Sequence, residues 1–199
     1  MDPYGGISKD SKIDDQSIGD IAAVVSVNSP TYCRKFLRLK KTGKKILSWN
    51  WASFLFSGYW FFYRKCYLLG ILASVFSIIS TLLIFPLQNS IYNILPENYG
   101  TSYMKISQFL SENISKFPKS FIFLALAGFL ITIIKSIVCG LFGDYIYKRK
   151  CISKIKEVND SGVENTKEML IKKGGINLFA PLLLYSAVYI IESILLSLI

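Results

Sequence analysis

Three apolar runs, residues 67–85, 121–142 and 178–199, constrain the fold of this chain more than any other feature. Each is close to the roughly 20 residues that a helix needs to cross the hydrocarbon core of a bilayer. Inside a bilayer the backbone has no water to bond, so runs of this kind satisfy themselves as helices. With their flanks they take up most of the 199 residues and leave little chain for a separate soluble domain. Composition agrees: 18% of residues are charged, against about 25% in a typical soluble domain. The expected fold class is an all-α integral membrane protein with three transmembrane helices. Residues 1–27 read as a polar, mobile N-terminal tail, and 28–199 as the membrane domain.

The net charge of +10 is unevenly placed. Residues 21–66 carry nine Lys/Arg and no acid, and the 143–177 loop carries eight more. The 86–120 loop has only Lys105, Lys116 and Lys119. Basic residues near span ends stay on the cytoplasmic side. The reading is therefore a multi-pass protein of the cytoplasmic (inner) membrane, N-terminus inside and C-terminus outside, with 19 basic residues facing in and 3 facing out. The first twenty residues hold five aspartates and two lysines. The short "IAAVVSV" that follows lacks the basic region and length of a signal core, so the first span is expected to be an uncleaved anchor. Because the cations hug the ends of apolar spans, the expected partners are anionic inner-leaflet lipids. Nucleic acid is not expected, since no RNA- or DNA-binding pattern accompanies the charge.

A fourth stretch, "SWNWASFLFSGYWFFYRKCYLLG", is too short to span and too apolar for water. Nine of its fifteen residues from 49 to 63 are aromatic, including all three tryptophans. Trp and Tyr rings, apolar in body and polar at one edge, concentrate at membrane–water interfaces. Fifteen helical residues reach only about 22 Å. The segment 49–65 therefore reads as an interfacial or shallow re-entrant helix. Gly58 offers a bend, and Arg64 and Lys65 sit at headgroup level.

Upstream, "NSPTYCRKFLRLKKTGKK" reads as a short basic amphipathic helix, with Asn28 or Ser29 as cap, Pro30 in the first turn and Gly43 as the stop. Tyr32, Phe36 and Leu39 share one face. That face suits either the inner leaflet or the protein's own loops. Pro86 is expected to end the first span. In the loop that follows, Tyr103, Ile106, Phe109, Leu110 and Ile114 have helical spacing, and an amphipathic helix on the outer surface is expected.

Two charges fall inside the spans, where ionisable groups are functional candidates. Lys135 lies about 12 Å from the inner end of its helix and Glu192 about 21 Å from the inner end of its own. Lys135 can snorkel to the inner headgroups, and Glu192 is near enough to the C-terminus to reach the outer interface.

Catalytic patterns are missing. The chain has no histidine, which removes Cys/His zinc sites and a histidine base. Cys33, Cys66, Cys139 and Cys151 form no CxxC, and no disulfide is implied. "GGINLF" at 174–179 lacks the spacing and strand context of a phosphate loop. Lys135 and Ser136 are adjacent on a helix and point apart. The expectation is a protein that is not an enzyme, with no cofactor and no metal.

Asn50, Trp51, Ala52, Phe54, Phe56, Trp60, Tyr63, Arg64, Lys65 and Tyr67 match the NWAxFxxGxxWxxYRKxY-type signature of a family of small bacterial membrane proteins. Gly143, Tyr147, Arg149, Lys154 and Ile155 match its second, Gly-Asn…Tyr…Arg-His…Lys-Ile motif. Over residues 28–155 the chain thus resembles this family, catalogued as a domain of unknown function (DUF 2628). The resemblance implies a bacterial inner-membrane protein and brings no established activity. Ser57–Gly58 stands where Gly–Pro is common, Cys66 replaces a methionine, Asp144 an asparagine and Lys150 a histidine. The zinc ribbon of some members is missing.

The functional expectation is a non-catalytic membrane adaptor or assembly factor that grips lipid headgroups and a protein partner. Its candidate interface residues are Trp49, Asn50, Trp51, Trp60, Tyr63, Arg64, Lys65, Tyr147 and Arg149. The alternative is a homo-oligomeric pore or transporter component using Lys135 and Glu192.

Overall fold

A computed structural model describes residues 2–41, 47–94 and 103–198. The elements run β1 (Lys12–Ile13), β2 (Gln16–Ser17), α1 (Ile18–Val25), α2 (Ser29–Lys41), α3 (Trp51–Tyr63), α4 (Tyr67–Ile94), α5 (Tyr103–Asn113), α6 (Lys119–Asp160), α7 (Thr166–Lys173) and α8 (Ala180–Ser197). Helices α4, α6 and α8 are each long and apolar enough to cross a membrane. The expected Gly43 stop of α2 lies outside the described residues.

Three helix boundaries differ from the sequence reading, the first being that α6 continues beyond residue 142 to Asp160. Helix α4 continues through Pro86 to Ile94. A proline removes one backbone donor, and where no water competes for the remaining groups, a helix can absorb that loss. Helix α8 starts at Ala180, because the Asn177 side chain caps it by accepting from the N–H groups of Phe179 (3.1 Å) and Ala180 (3.0 Å).

The chain divides into two compact units. The first comprises Met1–Ala73 and Lys135–Ser186, the second Ser74–Ile134 and Ala187–Ile199. In the first, α6 runs on past the apolar stretch and buries Tyr147, Cys151, Ile155 and Val158 along one face. Around this stripe pack α1, α2, α3 and α7.

The N-terminal residues correct the expectation of a polar, mobile tail. Asp14 and Asp15, at φ 47° and 68°, make the tight turn of the β1–β2 hairpin, with Ile13 opposite Gln16. Two left-handed residues suit the twist of such a hairpin, and Asp tolerates that conformation. Ser17 then caps α1, its Oγ accepting from the Asp20 N–H at 3.0 Å. Helix α1 buries Ile18, Ile21, Val24 and Val25. Its Val24 carbonyl accepts from the Gly175 N–H at 2.7 Å, and a Cβ on Gly174 would lie 2.2 Å from that same oxygen. "GGINLF" is thus a docking corner for α1, with Gly174 required by the close approach.

Helix α2 settles between its two alternatives. Tyr32, Cys33, Phe36 and Leu39 are buried within the protein, and the Tyr32 and Phe36 rings meet Tyr147 at centroid distances of 5.1 and 5.9 Å. Its apolar face packs on its own chain, leaving Arg34, Arg38 and Lys40 exposed.

In the second unit, segments of α4 and α6 pack closely where Gly128 meets the carbonyl of Ser80; a Cβ there would lie 2.8 Å from it. Small residues permit such approaches between membrane helices.

Candidate membrane-interface site

Helix α3 carries most of the candidate residues, and α6 fixes its inner face. Asn50 is the N-cap, accepting from the Ser53 N–H at 3.0 Å. Its own backbone N–H donates to the Gly140 carbonyl at 2.9 Å, and the Ser48 N–H donates to Leu141 at 3.1 Å. Ser53 Oγ donates to the Cys139 carbonyl at 2.8 Å. A carbonyl oxygen has two lone pairs, so helical carbonyls can accept these additional bonds. Gly143 makes room for them: a Cβ on it would fall 2.5 Å from Ser53 Oγ.

One residue organises this contact. Asp144 is fully buried. Its Oδ1 accepts from Asn50 Nδ2 at 2.7 Å. Its Oδ2 accepts from Lys35 Nζ at 2.7 Å and Ser48 Oγ at 2.8 Å. A buried carboxylate persists only when paired and hydrogen-bonded, and here donors arrive from α2 and from the segment leading into α3. Nearby, Lys148 pairs with Asp14 at 2.7 Å and ties the hairpin to the same helix.

Helix α3 bends where the sequence allowed, but one residue early. Ser57, not Gly58, has non-helical backbone angles, φ 39° and ψ −111°. Gly58 lies instead where α3 comes against α4, since a Cβ on Gly70 would meet the Gly58 carbonyl at 3.0 Å. After the bend, Trp60 is buried against Phe61 and Tyr147. Arg64, 2% exposed, sits among the rings of Tyr32, Tyr63 and Tyr147 at 4.5, 5.2 and 5.0 Å. It donates to the Val27 carbonyl at 3.2 Å and to Tyr147 Oη at 3.4 Å, while its buried Nε has no acceptor. Lys65, at φ 58°, turns the chain into α4 and donates to the Gly174 carbonyl.

The nine candidate interface residues therefore part company. Asn50, Trp60, Arg64 and Tyr147 are buried and hold α2, α3 and α6 together. Tyr63 and Lys65 are half-buried. Trp49 and Trp51 are exposed and stack edge-on at 5.3 Å, both against Phe54. With Leu55 and Phe56 they make the outward face of α3 apolar, Trp51, Leu55 and Phe56 being 65, 65 and 58% exposed. Arg149 is exposed, 6.0 Å from the Tyr145 ring. The stretches 50–67 and 143–155 are brought into contact, Asn50 meeting Asp144 and Trp60 meeting Tyr147.

The intramembrane charges fall in different units, Lys135 in the first and Glu192 in the second. Glu192 Oε1 accepts from Thr81 Oγ1 of α4 at 3.0 Å. Burial pushes the Cys33 and Cys66 thiols up to about 11, which leaves them neutral and poorly nucleophilic near pH 7. Among the described residues no group of three or more Cys, Asp or Glu is placed to hold a metal.

Sequence reasoning missed Lys35, Ser48, Ser53 and Asp144. The available signal was Asp144 itself, the only acid between Lys116 and Glu157. No family model matches the chain, and comparison with curated proteins and with solved structures finds no similar protein.

Proposed function

We propose that this chain is a non-catalytic adaptor or assembly factor of a bacterial cytoplasmic membrane, the location that the DUF 2628 resemblance implies. In this reading α3 lies in the inner leaflet as an aromatic wedge. The folded first unit, with its exposed basic residues, faces the cytoplasm and presents itself to a protein partner. The observation that carries the proposal is the two-faced nature of α3. Its inner face is bonded to the carbonyls of Cys139, Gly140 and Leu141, while the described residues leave Trp51, Leu55 and Phe56 more than half exposed. An exposed apolar patch of this kind, next to helices able to span a bilayer, is best covered by lipid. The excess of 19 basic residues over 3 between the two sides supports the inward orientation. The pore reading is less well supported, because Glu192 already has Thr81 as a hydrogen-bond partner within the chain.

Single-tryptophan variants in vesicles with brominated acyl chains test the wedge. Bromines near the headgroups are expected to quench Trp51 strongly and the buried Trp60 weakly. If Trp51 is as unquenched as Trp60, α3 is not in the leaflet and the proposal fails. Photo-crosslinking from Arg149 in native membranes then separates a distinct partner from a second copy.

A further inference from the structure

The corner where α4 and α8 begin holds a group of lysines whose charge the fold leaves unbalanced. Lys65 Nζ donates to the Gly174 carbonyl and Lys154 Nζ to the adjoining Lys173 carbonyl, the latter at 3.0 Å. Both therefore stand at the C-terminal end of α7, where the helix dipole favours cations. The exposed Lys150 lies one turn before Lys154 on the same face of α6, and burial first, then Lys65 and Lys150, holds the Lys154 ammonium below its ordinary range. None of Lys65, Lys150 and Lys154 has an ion-pair partner among the described residues. Glu157 feels Lys150 and Lys154 at longer range, but it is bonded to Lys173 at 2.7 Å and is itself largely exposed. The dipole at the end of α7 accounts for two of the lysines; the third only adds repulsion.

The same corner borders apolar surface. The Asn177 N–H donates to the Tyr63 carbonyl at 2.9 Å, and its amide donates to Tyr67 Oη at 3.2 Å. This places the starts of α4 and α8 side by side. Directly after these residues, Leu68, Leu178 and Phe179 are 81, 66 and 75% exposed. A cation cluster thus adjoins a lipid-ready apolar rim, an arrangement complementary to one molecule that is anionic at its head and apolar behind.

We propose that Lys65, Lys150 and Lys154 bind the phosphate of an anionic phospholipid whose acyl chains lie along Leu68, Leu178 and Phe179. The site rests on the membrane reading above and gives it a ligand class. An anion removes the mutual repulsion of the three ammoniums, and basic pockets beside membrane helices recognise headgroups in this way.

Native mass spectrometry of the full chain, released from micelles containing phosphatidylglycerol or phosphatidylcholine, is the test. Retained phosphatidylglycerol adducts and few phosphatidylcholine adducts are expected. Lys65→Gln and Lys154→Gln each remove a contact at the end of α7, so Lys150→Gln, which breaks no hydrogen bond or ion pair, carries the decision. It should weaken phosphatidylglycerol retention about fivefold, the usual strength of one lysine at an anionic surface. Arg34→Gln, exposed on α2, should leave retention unchanged. An unaltered preference in Lys150→Gln, or an equal loss in Arg34→Gln, overturns the site in favour of diffuse attraction. Displacement of the lipid by inorganic phosphate would assign the corner to a soluble anion and overturn it as well. If Trp51 is quenched by brominated lipid while Lys150→Gln has no effect, only this site fails; an unquenched Trp51 brings down the membrane reading beneath it.

Discussion

The first unit, Met1–Ala73 with Lys135–Ser186, and the second, Ser74–Ile134 with Ala187–Ile199, differ in what they ask of their surroundings. The first buries a carboxylate, a guanidinium and several hydroxyls, and gives nearly every one a partner. Many of its apolar residues, from Ile13 to Leu170, form one buried cluster, and many of the apolar residues it exposes lie on α3 and on the starts of α4 and α8. The second exposes Phe123, Phe129, Leu130, Ile133 and Ile194. Its described side-chain hydrogen bonds mostly return to the same helix, as Ser80 to Phe76 and Thr132 to Gly128 do. The first unit thus folds by the rules of a water-soluble core, where burial drives packing. The second has its hydrophobic demand met from outside, as membrane helices do, and small residues and dispersion hold it together.

The largest test of that contrast is at Asp144. Asp144→Ala leaves Lys35, Ser48 and Asn50 without their shared acceptor. Breaking a buried ion pair costs about 3–5 kcal/mol; Lys35 is 27% exposed, so the lower end applies. Unfolding of micelle-solubilised protein by a denaturing detergent should show a loss of about 3 kcal/mol. A double-mutant cycle with Lys35→Met should give a coupling above about 1 kcal/mol, as for residues in one network. A loss below that would mean that Asp144 does not organise the contact between α2, α3 and α6.

How far the sequence carried this structure follows from the same contrast. The three apolar helices were legible because length and hydropathy alone decide them. Helix α3 was legible as an element from its aromatic density. The N-terminal fold was not, because its partners lie far along the chain: Lys35 and Asp144 are 109 residues apart, and α1 meets Gly174 and Gly175. Five aspartates hid the few isoleucines that enter the core. Among the site residues, tryptophan and arginine suggested an interface, yet Trp60 and Arg64 face inward. An aromatic or a cation suits a buried cage as well as a membrane surface, and only the three-dimensional arrangement separates the two. The bend was anticipated at Gly58 because glycine is permissive, but backbone contact with α4 takes that residue and the bend falls on Ser57.

Ser57 gives the next effect in size. At φ 39° a residue with a Cβ is strained by about 1–2 kcal/mol relative to glycine, part of which glycine's extra freedom in the unfolded chain cancels. Ser57→Gly should therefore stabilise the protein by about 0.5–1 kcal/mol. Ser57→Ala, which keeps the Cβ and removes the hydroxyl with its 3.5 Å bond to the Phe54 carbonyl, should bring no gain. A Ser57→Gly variant no more stable than wild type would place the bend elsewhere.

The smallest effect belongs to the second unit, and the contrast depends on its being small. Thr81 and Glu192 form a side-chain hydrogen bond that links α4 to α8 in that unit. In water-soluble cores a hydrogen bond to a charged group is worth about 1.5–3 kcal/mol. Between membrane helices the measured average is about 0.6 kcal/mol, because helices separated within the membrane find other partners. Thr81→Ala should accordingly cost about 0.6 kcal/mol in the same unfolding assay, several times less than Asp144→Ala. Thr81→Val, which keeps the shape and loses the hydroxyl, should match it and so exclude packing as the cause. If Thr81→Val cost as much as Asp144→Ala, the polar groups of the two units would carry equal weight. The second unit would then be held by a network of its own, and the division between a core folded as in water and helices folded as in lipid would not stand.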